Sequence, residues 1–196
     1  MTRKEKALLT KDRIYSCTLQ LIKEKGYSNV LIDDITNLAG LAKGSFYNHF
    51  QSKENLLFYT FQCADQFYAN ALKKAKKKHD FYDLLNTFLT LSYSQVEKLG
   101  KEIIRAIYTN LFSEEGRNSF LNKNRCLYSS LIYIVEYGKE KGILNTKYET
   151  DYYVEKIVIA LVGIDSYWSL IEEQRSLPEL AKEIVTVIMK GFALHS

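Results

Sequence analysis

Proline is nearly absent from this chain of 196 residues: there is one, alongside nine glycines. Both residues interrupt helices and strands, so their scarcity permits long unbroken elements. Apolar residues recur at steps of three and four, and no strand-like alternation persists, so an all-α protein is expected. Histidine is equally scarce, and His49, His79 and His195 lie far apart. No Glu-x-x-His pair, DDxxD tract or glycine-rich phosphate loop occurs, which argues against a small helical enzyme. The three cysteines, Cys17, Cys63 and Cys126, match no zinc or redox spacing. Neither a metal site nor a cofactor is expected, and Cys17 reads as a small buried hydrophobe of the first helix. Long apolar runs are missing too. The longest, residues 157–164, ends at Asp165 and is too short to span a bilayer. The opening MTRKEKALLTKDRI has no apolar stretch of signal-peptide length. A cytoplasmic protein without membrane contact is the expectation.

What is present is apolar material, 46% of residues, and aromatic material, 13%, enough for a sizeable core. The net charge of +4 is unevenly spread. Residues 1–80 hold 14 Lys and Arg against 8 Asp and Glu, whereas residues 81–196 hold 13 against 15. A basic N-terminal half suits a phosphate-rich partner. Part of the excess is Lys73, Lys74, Lys76, Lys77 and Lys78, which reads as a solvated helix end favourable to the helix dipole.

The richest stretch is residues 26–57, GYSNVLIDDITNLAGLAKGSFYNHFQSKENLL. Ile32, Ile35 and Leu38, closed by Ala39, mark one side of a short helix. Gly40 can turn left-handed without steric cost, Ala39 allows close approach, and Leu41 plugs the gap. A second helix over residues 43–50 turns Phe46 and Phe50 inward. Lys43, Gly44, Ser45, Tyr47, Asn48 and His49 are left outside, and all but Gly44 carry side-chain hydrogen-bond donors. The helix start itself favours phosphate. Ser52 caps the next helix. Lys53, in the first turn, opposes the helix dipole and is expected to face an outside anion. An ordinary helical hairpin would not explain tyrosine, asparagine, histidine and lysine gathered on one exposed face. A helix of this kind enters the DNA major groove.

These residues resemble the DNA-binding head of the TetR family, closely over about residues 8–58 and in architecture beyond. The resemblance implies a recognition helix at 43–49, phosphate contacts from Tyr47 and His49, and a lysine, Lys53, opening the fourth helix. Base contacts then fall to Lys43, Ser45 and Asn48, since lysine suits guanine and asparagine suits adenine. Two positions depart from the family. Leu31 stands where threonine is usual, and Ala42 where serine often caps; both usual residues can cap a helix or touch phosphate. Asn29 is the alternative cap for the first short helix.

Along the rest of the chain, helices are expected at 10–25, from 53 to about 78, after a cap at Asp80, and at 102–112. A polar loop follows at 114–118. Further helices are expected at 119–141, 150–173 and, behind a Ser176–Glu179 capping box with Pro178 in the first turn, up to about Leu194. The total is about nine helices: a three-helix head over residues 1–52 and a helical C-terminal ligand-binding and dimerisation domain over 53–196. Residues 154–164 are apolar nearly all round, so that helix is expected to be buried on more than one side. Val158, Leu161, Ile184 and Ile188 are the candidate contacts of a dimer made by the last two helices, the arrangement the TetR resemblance implies. Aromatics crowd the middle helices: Phe88, Tyr93, Tyr108, Phe112, Tyr128, Tyr133, Tyr167 and Trp168. Most such residues build cores, but tyrosine needs a hydroxyl partner, and a cavity for a small amphipathic ligand is the alternative use. Arg105 and Asp165 interrupt apolar surroundings and would orient that ligand, unless each is simply a satisfied structural group.

The leading expectation is a homodimeric, ligand-responsive transcription regulator. It would act as a repressor on palindromic double-stranded DNA and be released by an unidentified small-molecule effector. The alternatives are a helical DNA-binding regulator without an effector and, last, a small helical enzyme.

Overall fold

A computed structural model describes residues 2–193 of the chain. Within them lie ten α-helices: α1 Arg3–Lys25, α2 Ile32–Ala39, α3 Lys43–Tyr47, α4 Lys53–Ala75, α5 Phe81–Leu99, α6 Lys101–Asn110, α7 Glu114–Phe120, α8 Cys126–Glu140, α9 Thr150–Leu170 and α10 Leu177–Gly191. A 3-10 turn, Tyr27–Asn29, follows α1, and an isolated antiparallel bridge joins Leu144 to Ala193. The all-α class is as expected. The count is ten rather than nine, and the expected end at Leu194 lies outside the described residues.

Differences at the helix ends have local causes. The first helix begins at Arg3, not Thr10, because Thr2 Oγ1 accepts the Glu5 N–H at 3.2 Å and the Glu5 carboxylate accepts the Thr2 N–H at 2.7 Å. This reciprocal box was legible in the sequence as Thr-x-x-Glu. The expected loop at 114–118 is helical: Ser113 Oγ accepts the Gly116 N–H at 3.0 Å, and Glu114 and Glu115 occupy the dipole-favoured first turn. Glycine is a poor helix interior, yet Gly116 is constrained by packing. A Cβ there would sit 2.7 Å from the Asn110 and Leu111 carbonyl oxygens and 2.8 Å from the Phe58 ring. The expected single helix over 119–141 is thus divided, with Asn122 turning the chain by accepting the Asn124 N–H at 3.0 Å.

The chain divides into two compact units. The first comprises residues up to Phe61 together with Leu99–Leu121. In it α1 packs on α2, and α6 packs on α1 and the 3-10 turn. Ile14, Ile22, Ile35, Ala39, Phe46, Phe50, Leu56 and Leu57 are buried. Tyr15 brings its hydroxyl inside and donates it to Thr60 Oγ1 at 3.0 Å, as a buried phenol requires. Cys17 is only half-buried.

The second unit holds Gln62–Lys98 and the residues from Asn122 onward. Here α9 packs against both α8 and α10, around Phe81, Leu84, Phe88, Leu131, Ile134, Tyr153, Ile157 and Val185. One charged group is buried among them. Arg125 lies 3.4 Å from the Asp65 carboxylate. Asp65 also accepts the Cys126 and Leu127 N–H groups, so a residue of α4 caps α8, whose own N-cap side chain does not. Burial pushes the Asp65 pKa up, opposed by Arg125 and those amides. Burial likewise pushes the Tyr68 phenol up to about 12.

Candidate nucleic-acid interface

The interface is built on a turn. α2 ends at Gly40, whose φ of 61° and ψ of 42° are left-handed, and the Gly40 and Leu41 N–H groups fold back to the Asn37 and Thr36 carbonyls. The inner face of α2 is Ile35, Thr36 and Ala39. Leu38, expected on that face, is exposed, and Thr36 is buried instead. Threonine tolerates burial there because its hydroxyl donates to the Asp33 carbonyl at 3.2 Å.

The α2 start needs no threonine at Leu31. Asp34 accepts the Leu31 N–H at 2.8 Å and pairs with Lys25 at 2.5 Å. Asn29 does not cap α2. It donates to the Lys25 carbonyl at 2.8 Å and closes the end of α1. Ala42 leaves the α3 N-terminus without a side-chain cap.

α3 ends at Tyr47, three residues sooner than expected, and a tight turn carries the chain on to Phe50. Phe46 and Phe50 are buried with ring centroids 5.9 Å apart. That anchors the opposite face outward: Lys43, Gly44, Tyr47 and Asn48 are exposed, and Ser45 and His49 half-buried. Ser52 Oγ accepts the Asn55 N–H at 3.0 Å and starts α4.

Two lysines of this face have partners within the unit. Lys43 pairs with Asp33 at 2.7 Å on the surface, which raises its pKa through that hydrogen bond. Exposed pairs of this kind are weak and exchange readily. The Lys53 ammonium donates to the Tyr27 and Val30 carbonyls at 2.9 and 3.0 Å and lies 4.2 Å from the Tyr27 ring centre. Its place in the first turn therefore does not require an outside anion: the 3-10 turn takes the charge and is held against α4. A concavity of about 460 Å3 gathers Lys43, Tyr47 and Lys53 with Leu31, Asp33 and Ser52. Ser45, Asn48 and His49 do not line it.

The expected ligand residues are placed differently. Arg105 faces solvent and pairs with Glu102 at 2.6 Å, and Phe112 is 83% exposed; both, with half-buried Tyr108, belong to the first unit. Phe88, Tyr93, Tyr128 and Trp168 are core residues of the second unit, and Trp168 Nε1 satisfies itself on the Arg175 carbonyl at 2.8 Å. Tyr133 and Asp165 are half-buried. The buried cation of this unit is Arg125, which the sequence reading passed over. Asp65, an acid beside Ala64 and Tyr68 on the apolar side of α4, was its signal.

The expected dimer residues divide in two. Val158 and Leu161 are buried within the subunit, whereas Ile184 and Ile188 line a groove of about 680 Å3 between α9 and α10. The α9 wall of that groove is Ile159, Ala160, Gly163, Ile164 and Tyr167, with Lys156 at one end. Ile159 is 57% and Tyr167 52% exposed in this groove, and Leu170 and Val187 of the same two helices are 72% and 66% exposed, so this part of α9 and α10 is unusually apolar for a surface. No helix among the described residues is long and apolar enough to cross a membrane.

Residues 14–60 match the family described as "Bacterial regulatory proteins, tetR family". The match falls on the stretch whose residues resemble that family. Over 80 residues the chain is 31% identical to the biofilm operon icaADBC HTH-type negative transcriptional regulator IcaR of Staphylococcus aureus strain Newman, covering 40% of this chain and 43% of that protein. It is 26% identical over 177 residues to the transcriptional regulator AcuR of Cereibacter sphaeroides, covering 90% of this chain and 63% of that one. The chain therefore spans under two thirds of the length of these curated relatives. Its fold resembles the fatty acid degradation regulator FadR of Bacillus halodurans, with a TM-score of 0.75, 22% identity and coverage of 93% and 95% of the two chains. FadR of Bacillus subtilis, solved in complex with stearoyl-CoA, gives a TM-score of 0.76 at 19% identity, covering 93% and 98%.

Proposed function

We propose, from its TetR-family head, that this chain is a dimeric transcription regulator that binds a palindromic operator, acts as a repressor in the cytoplasm and is released by a small amphipathic effector. It is not an enzyme in this reading. The observation that carries the proposal is the outward set Lys43, Gly44, Ser45, Tyr47 and Asn48 on a helix pinned by buried Phe46 and Phe50. Lys43, Ser45 and Asn48 read bases; Tyr47 and His49 hold phosphates. Lys53 supports them by fixing the 3-10 turn, with one ammonium proton left for a phosphate. Residues 1–52 recognise DNA, and residues 53–196 carry the effector and partner functions.

The second copy of the chain covers the apolar α9–α10 face. Two recognition helices then meet successive major grooves about 34–36 Å apart. The effector site belongs to the second unit. Long-chain acyl-CoA is a first probe, on the strength of a ligand carried by a protein of similar fold. Selection from random duplex DNA tests the reading: a pseudo-palindromic consensus is expected, bound more weakly as salt rises. Recovery of only asymmetric sequences would overturn it.

A further inference from the structure

The five lysines at the end of α4 are not all alike. Ala69, Leu72 and Lys73 of α4 and Lys76 just past its end line, with Cys126, Ser129 and Ser130 of α8, a groove of about 290 Å3. Among the described residues, no carboxylate lines it. Neither lysine makes an ion pair with any described residue. Just beyond, an aromatic run continues along α8. The Lys76 ammonium lies 3.9 Å from the Tyr133 ring centre, Tyr133 stacks with Tyr137 at 6.4 Å and 20°, and Lys141 lies 5.4 Å from the Tyr137 ring centre. The Tyr137 hydroxyl is fixed by donating to the His79 carbonyl at 2.6 Å. The helix dipole accounts for lysines around the end of α4 in any direction. It does not account for two of them lining a groove of serines and aliphatic carbons that opens beside stacked tyrosines.

Unpaired ammonium groups bind phosphate as point charges, and aromatic faces take heterocyclic rings by stacking. We propose that the α4–α8 groove is a nucleotide site, in which Lys73 and Lys76 hold a diphosphate; Lys76 leaves the face of the Tyr133 ring that it covers, and the heterocycle takes that place, packed on Leu72 and Tyr133. The site is small, which favours a free nucleotide over a strand, and it does not depend on the function of the head.

Calorimetry on the full chain with ADP and with pyrophosphate tests it. Saturable binding of one ADP per chain is expected. A Lys73→Gln/Lys76→Gln variant should bind about tenfold or more weakly. Lys77→Gln/Lys78→Gln, which removes the same charge outside the groove, should change little. Tyr133→Leu should weaken ADP but not pyrophosphate. Absence of saturable ADP binding, equal losses from the two lysine pairs, or pyrophosphate binding as tightly as ADP would each overturn the site.

Discussion

The recognition face of the head and the α9–α10 face of the second unit are both exposed, with opposite chemistry. On α3 the aromatics go in and lysine, tyrosine and asparagine stay out. On α9 and α10 isoleucine, tyrosine, leucine and valine stay out. Polar side chains in water need no explanation, so the α3 face carries meaning only through its turn, its anchors and its family match. Apolar side chains in water do need one, so the α9–α10 face carries meaning without a motif. The first is read from sequence and the second from structure.

The largest expected effect separates exposed from buried positions of the second face. Ile184→Arg with Val187→Arg puts charge on solvent-exposed side chains, so the chain should stay folded and become monomeric. Operator affinity should then fall toward the non-specific level, by about a thousandfold or more. Leu161→Arg instead buries an unpaired charge inside the subunit and should destabilise it by about 4 kcal/mol or more. Light scattering with thermal melting distinguishes the two. A folded, dimeric Ile184→Arg/Val187→Arg protein would remove the face from the interface.

A smaller effect is expected at the first face. Asn48→Ala should cost about 1–3 kcal/mol on the preferred site and relax the preference at one base position. Tyr47→Phe, which removes a phosphate-contacting hydroxyl, should weaken all sequences alike. Binding measured across a panel of single-base operator variants separates the patterns. An unchanged preference matrix for Asn48→Ala would end its base-reading role.

Much of the head was legible because its signals are local. Gly40 set the turn, Ser52 the next helix, and Phe46 and Phe50 the inner face. Local signals did not carry the reach of Lys53 to carbonyls more than twenty residues earlier, nor the exchange of Leu38 for Thr36 on the inner face of α2. The second unit was legible in helix content but not in facing. Residues 154–164 of α9 are apolar nearly all round, so periodicity could not choose Val158 and Leu161 or Ile159 and Gly163 for the subunit's own core. Aromatic enrichment was no guide to a cavity either, since Phe88 and Tyr93 fill the core while Phe112 lies in water. A short helix at Glu114–Phe120 was missed because its glycine is there for close packing, which sequence periodicity does not register.

The smallest expected effect concerns the scaffold under the recognition face. Asp34 lies on the surface, and its pKa is held below the ordinary carboxylate value by the hydrogen bond from Lys25 and then by the Leu31 N–H. Because the folded pKa is below the unfolded value of about 3.9, folding favours the ionised form. That contribution is complete above the unfolded value and disappears as pH falls through the lower folded one. Acidification should therefore loosen the start of α2 before the buried core responds, since Phe46 and Phe50 carry no titrating group. The Leu31 amide resonance should titrate with a midpoint below the ordinary carboxylate value, and Asp34→Asn should abolish that titration while the amide can still accept the Leu31 N–H. A midpoint at or above the ordinary value would mean that Lys25 and Leu31 do not hold this carboxylate in solution. The α2 start would then rest on its packing against α1 alone.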